Sequence, residues 1–195
     1  MMELDFPHIY QNNKMIGYGG DQDWFDDEWA QKAGCASVLA SNMYAYYKKQ
    51  YVFSCTDFLK IMEQMFQEMT PGKMGYPFLY KFGRTFKKIM KEEHIALSPV
   101  YQKTSQNDEH ALSFVLQSLQ EYHPVAMLIL YHHAKELEDD NWHWICLTGY
   151  QEKEGHYQII FSDCGQRRII DASVLFDTSH QNVYKMLRMK KDPSI

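Results

Sequence analysis

The spacing of apolar residues changes near His123, and this change constrains the fold more than any other feature of the chain. Before it, apolar residues recur at helical spacing, as they do along residues 36–47. After it, residues 125–131 form a nearly continuous apolar run, which is typical of a strand buried on both faces. Helices followed by strands predict an α+β fold, with a helical part at about residues 34–122 and a mostly antiparallel sheet from about residues 123–176.

Four helices are predicted in the first part. One starts at about Cys35 and runs to about Lys49, in a segment without proline or glycine after its first turn. Asp57 is suited to cap a second helix, and Pro77 is suited to open a third because its ring fits the first helical turn. The fourth covers about residues 109–121.

Two later segments are predicted to pair as a hairpin. They cover residues 142–150 and 156–162, and the turn between them lies at residues 152–155. A short extended piece at residues 169–170 follows, and a final helix is predicted around residues 172–176.

The length and composition predict one compact domain over residues 1–195. The chain is 45% hydrophobic, 15% aromatic and 23% charged, and it has no biased or repeated tract. Residues before about Gly34 are predicted to be extended and loop segments, because Gly17, Gly19 and Gly20 interrupt regular structure.

Two further features bear on where the chain works and what it binds. Residues 1–7 lack the basic and apolar regions of a secretion signal, and the run at residues 125–131 is too short to cross a bilayer. We therefore expect a soluble, cytoplasmic protein that does not bind a membrane. A formal charge of −5 and the lack of a Lys/Arg stripe argue against nucleic acid as a partner.

The sequence contains four well-separated cysteines: Cys35, Cys55, Cys146 and Cys164. In a reducing compartment this spacing argues for free thiols rather than disulfides or a zinc ribbon. The neighbours His132 and His133 do not predict a metal site, because adjacent residues of a strand face opposite ways and no partner lies at ligand spacing. We expect no metal and no other cofactor.

Cys35 is the thiol whose position best suits reactivity. A thiol attacks a carbonyl as the thiolate, and an ordinary cysteine, with a pKa of about 8.5, is mostly protonated at neutral pH. A helix start supplies N–H donors and the positive end of the helix dipole, an effect of about 0.3–1 kcal/mol. One pKa unit corresponds to about 1.4 kcal/mol, so a nearby histidine must supply the rest of the activation.

His143 is the best candidate for that histidine, because it lies at the start of a predicted strand that can orient it. Alternation along the strand places Cys146 on the opposite face, so Cys146 is expected to point away from His143. Asp163 ends the next predicted strand, and antiparallel pairing would bring it beside His143. Asp163 is therefore the candidate for the group that orients the ring.

Five segments carry recognisable motifs in a particular order: residues 20–25, Trp29, and residues 33–42, 143–150 and 159–165. The third opens a helix with Gly-Cys, the fourth is a histidine followed by apolar strand residues and Gly-Tyr, and the last contains Asp followed by Cys-Gly. The ordered set resembles papain-like cysteine peptidases, in particular the branch that includes the bacterial double-glycine leader peptidases. The chain departs from that pattern by an alanine in place of the glycine that usually follows the cysteine.

The resemblance implies a papain-like fold in which Cys35 is the nucleophile, His143 the general base and Asp163 the orienting group. It also implies a glutamine upstream of the cysteine that helps to bind the oxyanion. Gln22, within Gly-Asp-Gln-Asp-Trp, fits this role better than the alternative, Gln31. Gln22 lies farther from the cysteine than the corresponding glutamine does in many relatives.

These features predict a hydrolase that cleaves a peptide or amide bond through a thioester with Cys35. Trp24, Trp142 and Trp144 are candidates to line the cleft for a peptide or protein substrate. Two alternatives stay open. One is acyl transfer on the same three groups, as in transglutaminase-like and arylamine acetyltransferase-like relatives, and the other is a catalytically silent module that only binds a peptide or protein. The oligomeric state is not predicted.

Overall fold

The computed structural model of the chain describes residues 1–102 and 108–192. The helices in these ranges are α1 (Glu28–Ala33), α2 (Cys35–Tyr47), α3 (Cys55–Glu68), α4 (Leu79–Glu92), α5 (Asp108–Gln120) and α6 (Ala172–Leu175). The strands are β1 (Met2–Glu3), β2 (His8–Gln11), β3 (Lys14–Tyr18), β4 (Val52–Ser54), β5 (Leu97–Gln102), β6 (Val125–Tyr131), β7 (His143–Lys153), β8 (His156–Asp163), β9 (Gln166–Asp171) and β10 (Val183–Lys191). Within the described ranges, none of the helices combines the length and the apolar character that a bilayer crossing requires.

The main sheet is antiparallel, and most of its strands come from the second half of the chain. Its order is β5-β10-β6-β7-β8-β9, and β1 pairs with the second half of β7. Four of the helices precede most of this sheet along the chain. The predicted α+β class, with a helical N-terminal part and a mostly antiparallel sheet, is confirmed.

The main sheet includes strands from before and after the residue range predicted for it. β5 lies inside the predicted helical part. β10 follows the predicted end of the sheet along the chain, yet it is an interior strand that pairs with β5 and β6. Met186 and Leu187 of β10 are both buried, while Lys185 and Arg188 flank them in the sequence. These charged residues obscure the apolar run that marks a strand buried on both faces.

The N-terminal part contains more regular structure than its glycines predict. β2 and β3 form a hairpin, and β4 pairs in parallel with β2 to complete a second, smaller sheet. α1 is a short helix whose cap is Asp27, which accepts a hydrogen bond of 2.8 Å from the N–H of Ala30. It is only six residues long, EWAQKA, too short for its apolar residues to show a helical period, so the local pattern does not indicate a helix there.

The helix starts follow the predictions with two differences. The cap of α3 is Ser54 rather than Asp57, because the hydroxyl of Ser54 accepts the N–H of Asp57 at 3.1 Å. α4 begins at Leu79, shortly after Pro77, so the proline lies just outside the helix instead of in its first turn. α2 and α5 cover almost the predicted ranges.

Two apolar clusters lie on opposite faces of the main sheet. One joins side chains of α2 and α4 to Trp144 and Cys146 of β7, and the other joins side chains of α5 to Ile145 and Leu147 of the same strand. Neighbouring residues of β7 thus enter different clusters, as strand alternation requires. α2 is buried along most of its length, so packing fixes the position of Cys35, its first residue.

Candidate active site

α2 begins at Cys35 because the chain turns sharply at Gly34. Gly34 ends α1 and starts α2, and a Cβ at this position would lie 2.4 Å from the carbonyl oxygen of Ala30. Glycine is therefore required there. No side chain of the described ranges caps the first turn of α2, and the N–H groups of Ser37 and Val38 donate to the carbonyl oxygen of Gly34. The N–H of Cys35 is therefore the donor in this turn that is suited to bind a substrate atom.

His143 is the first residue of β7, and a turn in the backbone precedes it. Trp142 has a positive φ of 61°, which redirects the chain into the strand. Nε2 of the His143 ring lies 2.9 Å from Oδ1 of Asp163, and His143 and Cys35 border the same pocket. Sγ of Cys164 lies 3.7 Å from the same nitrogen. The structure thus places Cys35, His143 and Asp163, the three residues selected from the sequence, around one pocket.

Asp163 is placed by the tight turn that follows it. Cys164 and Gly165 have positive φ values of 42° and 70° and form the turn into β9, across which Asp163 pairs with Gln166. A turn with two left-handed residues favours glycine in its second position. Because β7 and β8 are antiparallel, the end of β8 lies beside the start of β7.

The electrostatics of the group favour a thiolate beside an imidazolium. Burial is the largest influence on Cys35 and favours the protonated thiol, but the hydrogen bond and charge of His143 help to bring the pKa of Cys35 below its usual value. Burial also disfavours charge on His143. The side chains of Asp163, Cys164 and Cys35 nevertheless raise the pKa of the ring well above the usual range.

The second carboxylate oxygen of Asp163 meets a guanidinium that no sequence motif indicates. Nη1 of Arg168 donates to Oδ2 of Asp163 and lies 3.0 Å from each carboxylate oxygen of Asp140. Burial is the largest influence on Asp163 and opposes its ionisation, yet hydrogen bonds from His143 and Arg168 help to hold its pKa well below the usual value. Asp140 and Arg168 are distant in the chain, so local spacing carries no signal for this contact.

The two glutamines considered for the oxyanion site have different surroundings. Gln22 borders the pocket that contains Cys35 and His143, and it lies in a 3-10 helix, Gln22–Trp24. Its side-chain oxygen is buried without a hydrogen-bond partner in the described part of the chain. Gln31 lies on α1, and its Nε2 donates to the carbonyl oxygen of Phe25 at 2.6 Å. The Gln31 amide thus serves a local structural contact.

The loop before this 3-10 helix reaches the site through closely packed glycines. Gly19 has a φ of 80°, and a Cβ there would lie 2.6 Å from Oγ of Ser162 and 2.7 Å from Nδ2 of Asn42. The N–H of Gly20 donates to Oδ1 of Asn42 at 2.8 Å, and the N–H of Gly165 donates to the carbonyl oxygen of Gly20. These contacts hold the loop against α2 and against the turn after β8.

The three tryptophans predicted to line the cleft lie in different environments. Trp144 borders the pocket, but its side chain is buried, its Nε1–H donates to the carbonyl oxygen of Tyr76, and its ring stacks on Phe82 at a centroid distance of 4.7 Å. Core packing occupies this indole, so we do not propose it as a substrate contact. Trp142 is 54% exposed, and Trp24 is half-buried near the turn after β8.

All four cysteines are free thiols. Burial raises the pKa of Cys55, Cys146 and Cys164 above the usual value, so these thiols stay protonated at neutral pH. Strand alternation predicts that Cys146 points away from His143, yet Cys146 borders the same pocket. The reason is that its face of β7 is the one that α2 covers.

One cluster outside this site contains residue types that bind metals. Oδ2 of Asp177 lies 2.7 Å from Nδ1 of His180 and 3.4 Å from Nε2 of His133, and the two rings stack at 3.5 Å. The sequence does not indicate this cluster, because Asp177 and His180 are far from His133 along the chain. The carboxylate of Asp177 thus contacts both rings.

A comparison with protein families agrees with the fold. The Peptidase_C39 like family matches residues 3–190, which is nearly the whole chain. A comparison with curated proteins gives no match. The chain therefore belongs to the Peptidase_C39-like family, a papain-like cysteine peptidase relative of bacteriocin-processing peptidases.

Proposed function

We propose that the chain is a cysteine peptidase that cleaves a peptide bond through a thioester on Cys35. The observation that carries this proposal is that Cys35, His143 and Asp163 border one pocket, with His143 hydrogen-bonded to Asp163, in a chain of a cysteine peptidase family. The lowered pKa of the thiol and the raised pKa of the ring support an ion pair at neutral pH.

In the acylation step, the thiolate of Cys35 attacks the carbonyl carbon of the scissile bond. Negative charge moves to the carbonyl oxygen, where the N–H of Cys35 and the side-chain amide of Gln22 are the proposed donors. The imidazolium of His143 gives its proton to the leaving nitrogen, the C–N bond breaks and an amine departs. Asp163 holds the ring throughout and stabilises its charged form.

In the deacylation step, the neutral ring of His143 takes a proton from water while the oxygen attacks the thioester carbon. The C–S bond then breaks, Cys35 leaves as the thiolate, and the peptide product carries a new carboxylic acid. The proton taken from water remains on His143, so the ion pair is restored for the next cycle.

Alkylation by iodoacetamide at mildly acidic pH tests the assignment of the nucleophile. We expect Cys35 to react much faster than the other three thiols, because its pKa is lowered while burial raises theirs. Mass spectrometry of the digested protein measures each thiol separately. A folded protein in which Cys55 or Cys146 reacts first and Cys35 stays unmodified would contradict the proposal.

Incubation with a mixture of synthetic peptides tests the reaction itself, with Cys35→Ala as the control. Hydrolysis yields fragments with free carboxylates in water alone, and these fragments are absent with the variant. Products that form only when hydroxylamine is added as acceptor would indicate acyl transfer instead. Peptide binding without any product would indicate a binding module.

A further inference from the structure

The carboxylate of Asp163 is held at both of its oxygens. Oδ1 lies 2.9 Å from Nε2 of His143, and Oδ2 accepts a hydrogen bond from Nη1 of Arg168. A rotation of the carboxylate that broke one contact would disturb the other as well. The orientation of Asp163 toward the ring is therefore set jointly with Arg168.

Arg168 is anchored in turn by the connection between β6 and β7. Its Nη1 lies 3.0 Å from each carboxylate oxygen of Asp140, and its Nη2 donates to the carbonyl oxygen of Glu136 at 2.5 Å. Both partners lie in a 3-10 helix, Lys135–Asp140, whereas Arg168 lies on β9. The guanidinium thus ties the connection that leads into β7 to the strand pair β8 and β9.

Burial makes this one cation important for the two acids that face it. The side chains of Asp140 and Asp163 are only 4% and 8% exposed, and both contact Arg168. Without a cation between them, two buried carboxylates this close cannot both stay ionised. Burial, the charge of Asp163 and a hydrogen bond with Asp163 raise the pKa of Asp140 to about 6, so a proton taken up here is shared by the two acids. The other charged groups nearby are the ring of His143 and the half-buried carboxylate of Asp21.

We propose that Arg168, anchored by Asp140, is a positioning residue that keeps the Asp163 carboxylate ionised and directed at the ring of His143. Neither Arg168 nor Asp140 is among the described residues that border the pocket, so both act through Asp163. The inference rests on the proposed function, because it concerns how Cys35 is activated.

The variant Arg168→Met tests the inference, because it removes the guanidinium and keeps an unbranched side chain. Cys35 alkylation is measured across pH by mass spectrometry, with the melting temperature as a control for folding. We expect the apparent pKa of Cys35 to rise by about one pH unit, at the lower end of what a charged neighbour exerts. The reason is that Asp140 and Asp163 then share a proton, which weakens the support for the imidazolium of His143.

The sign of the shift separates this role from a simple charge effect. Removal of a positive charge near the ring would by itself favour the imidazolium and lower the apparent pKa of Cys35. A downward shift or no shift in folded Arg168→Met would therefore overturn the inference.

Arg167 supplies a matched control on the same strand. It forms two hydrogen bonds of 2.8 Å with the carboxylate of Glu3 and has no contact with Asp163 among its hydrogen bonds in the described residues. We expect Arg167→Met to change the melting temperature and to leave the pH profile of Cys35 unshifted. Equal shifts in the two variants would point to a general effect of folding and would contradict the positioning role of Arg168.

Two further variants keep the test decisive. If Arg168→Met does not fold, Arg168→Gln removes the charge but keeps a polar side chain that can hydrogen-bond Asp140, and it carries the same expected upward shift because both acids remain. A His143→Ala profile that overlays the wild type would contradict the proposed function itself. A changed His143→Ala profile beside an unchanged Arg168 variant would contradict only the positioning role.

Discussion

The reactivity of a single thiol here depends on the balance between burial and its polar partners. Cys146 lies in the apolar cluster beneath α2, and burial raises its pKa. Cys35 packs at the edge of the same cluster, where burial also opposes ionisation, but His143 and two backbone N–H groups help to lower its pKa. Cys164 also lies near the His143 ring and its pKa is raised, so we expect the imidazole and the backbone N–H groups together to distinguish Cys35 from the other thiols.

At the same scale, Gln22 and Gln31 form a matched pair for testing the oxyanion site. We expect Gln22→Ala to lower kcat by about 10²–10³-fold, the usual cost of losing one oxyanion donor. The alkylation rate of Cys35 should change little, because the thiolate depends on His143. Gln31→Ala removes the contact with the carbonyl oxygen of Phe25 and should lower the melting temperature more than kcat. Peptide hydrolysis measures kcat, and a fall in Gln31→Ala with no fall in Gln22→Ala would reverse the assignment.

At the scale of elements, the candidate site is built from the ends of helices and strands. Cys35 is the first residue of α2, His143 the first of β7 and Asp163 the last of β8. The bodies of these elements are packed in the apolar clusters, which fixes their ends in space. The end residues themselves keep N–H groups and side chains available for chemistry.

The glycine loop before Gln22 is the element whose disturbance should be most informative. Gly19→Ala and Gly155→Ala each place an alanine at positive φ, at a cost of about 1–2 kcal/mol. A Cβ at Gly155 meets nothing within 4 Å, whereas a Cβ at Gly19 meets Ser162 and Asn42 at under 3 Å. We therefore expect Gly19→Ala to lose more unfolding free energy in urea and also to lose peptide hydrolysis. Equal losses of stability, with activity kept in both, would contradict the close packing of this loop.

At the scale of the whole molecule, β10 joins the two halves of the core. It lies between β5 and β6, and it contributes Leu187 to the cluster on the α2 face and Met186 to the cluster on the α5 face. The strand that completes the sheet therefore comes from the end of the described chain.

Leu187→Ala tests how much the molecule depends on this strand. Because Leu187 is fully buried, we expect a loss of about 2–5 kcal/mol in unfolding free energy. Val52, on the edge strand β4, is 73% exposed, and Val52→Ala should change stability by no more than about 0.5 kcal/mol. Urea unfolding measures both variants. A loss of similar size in the two would mean that β10 is not a central part of the core.

The sequence by itself determined the features that depend on neighbouring residues. The helical period places α2, the apolar run places β6, and the turn chemistry of Cys164-Gly165 ends β8 after Asp163. The close approach at Gly34 is likewise local, since the carbonyl it meets belongs to Ala30. Motif order along the chain selected a cysteine, a histidine and an aspartate, and the structure places these three residues around one pocket.

Only the tertiary structure decided which distant residues meet. Arg168 pairs with Asp140, and the loop before Gln22 packs against α2. β10 lies inside the sheet, between β5 and β6. Each of these arrangements joins positions that are far apart in the chain. Short-range periodicity contains no information on strand order or on the path of a loop, because both depend on how whole elements bury their faces together. Local patterns were therefore enough to predict Cys35 as the candidate nucleophile. The contacts of Arg168 with Asp163 and Asp140 could not be predicted, because they depend on how the strands and their connections pack together.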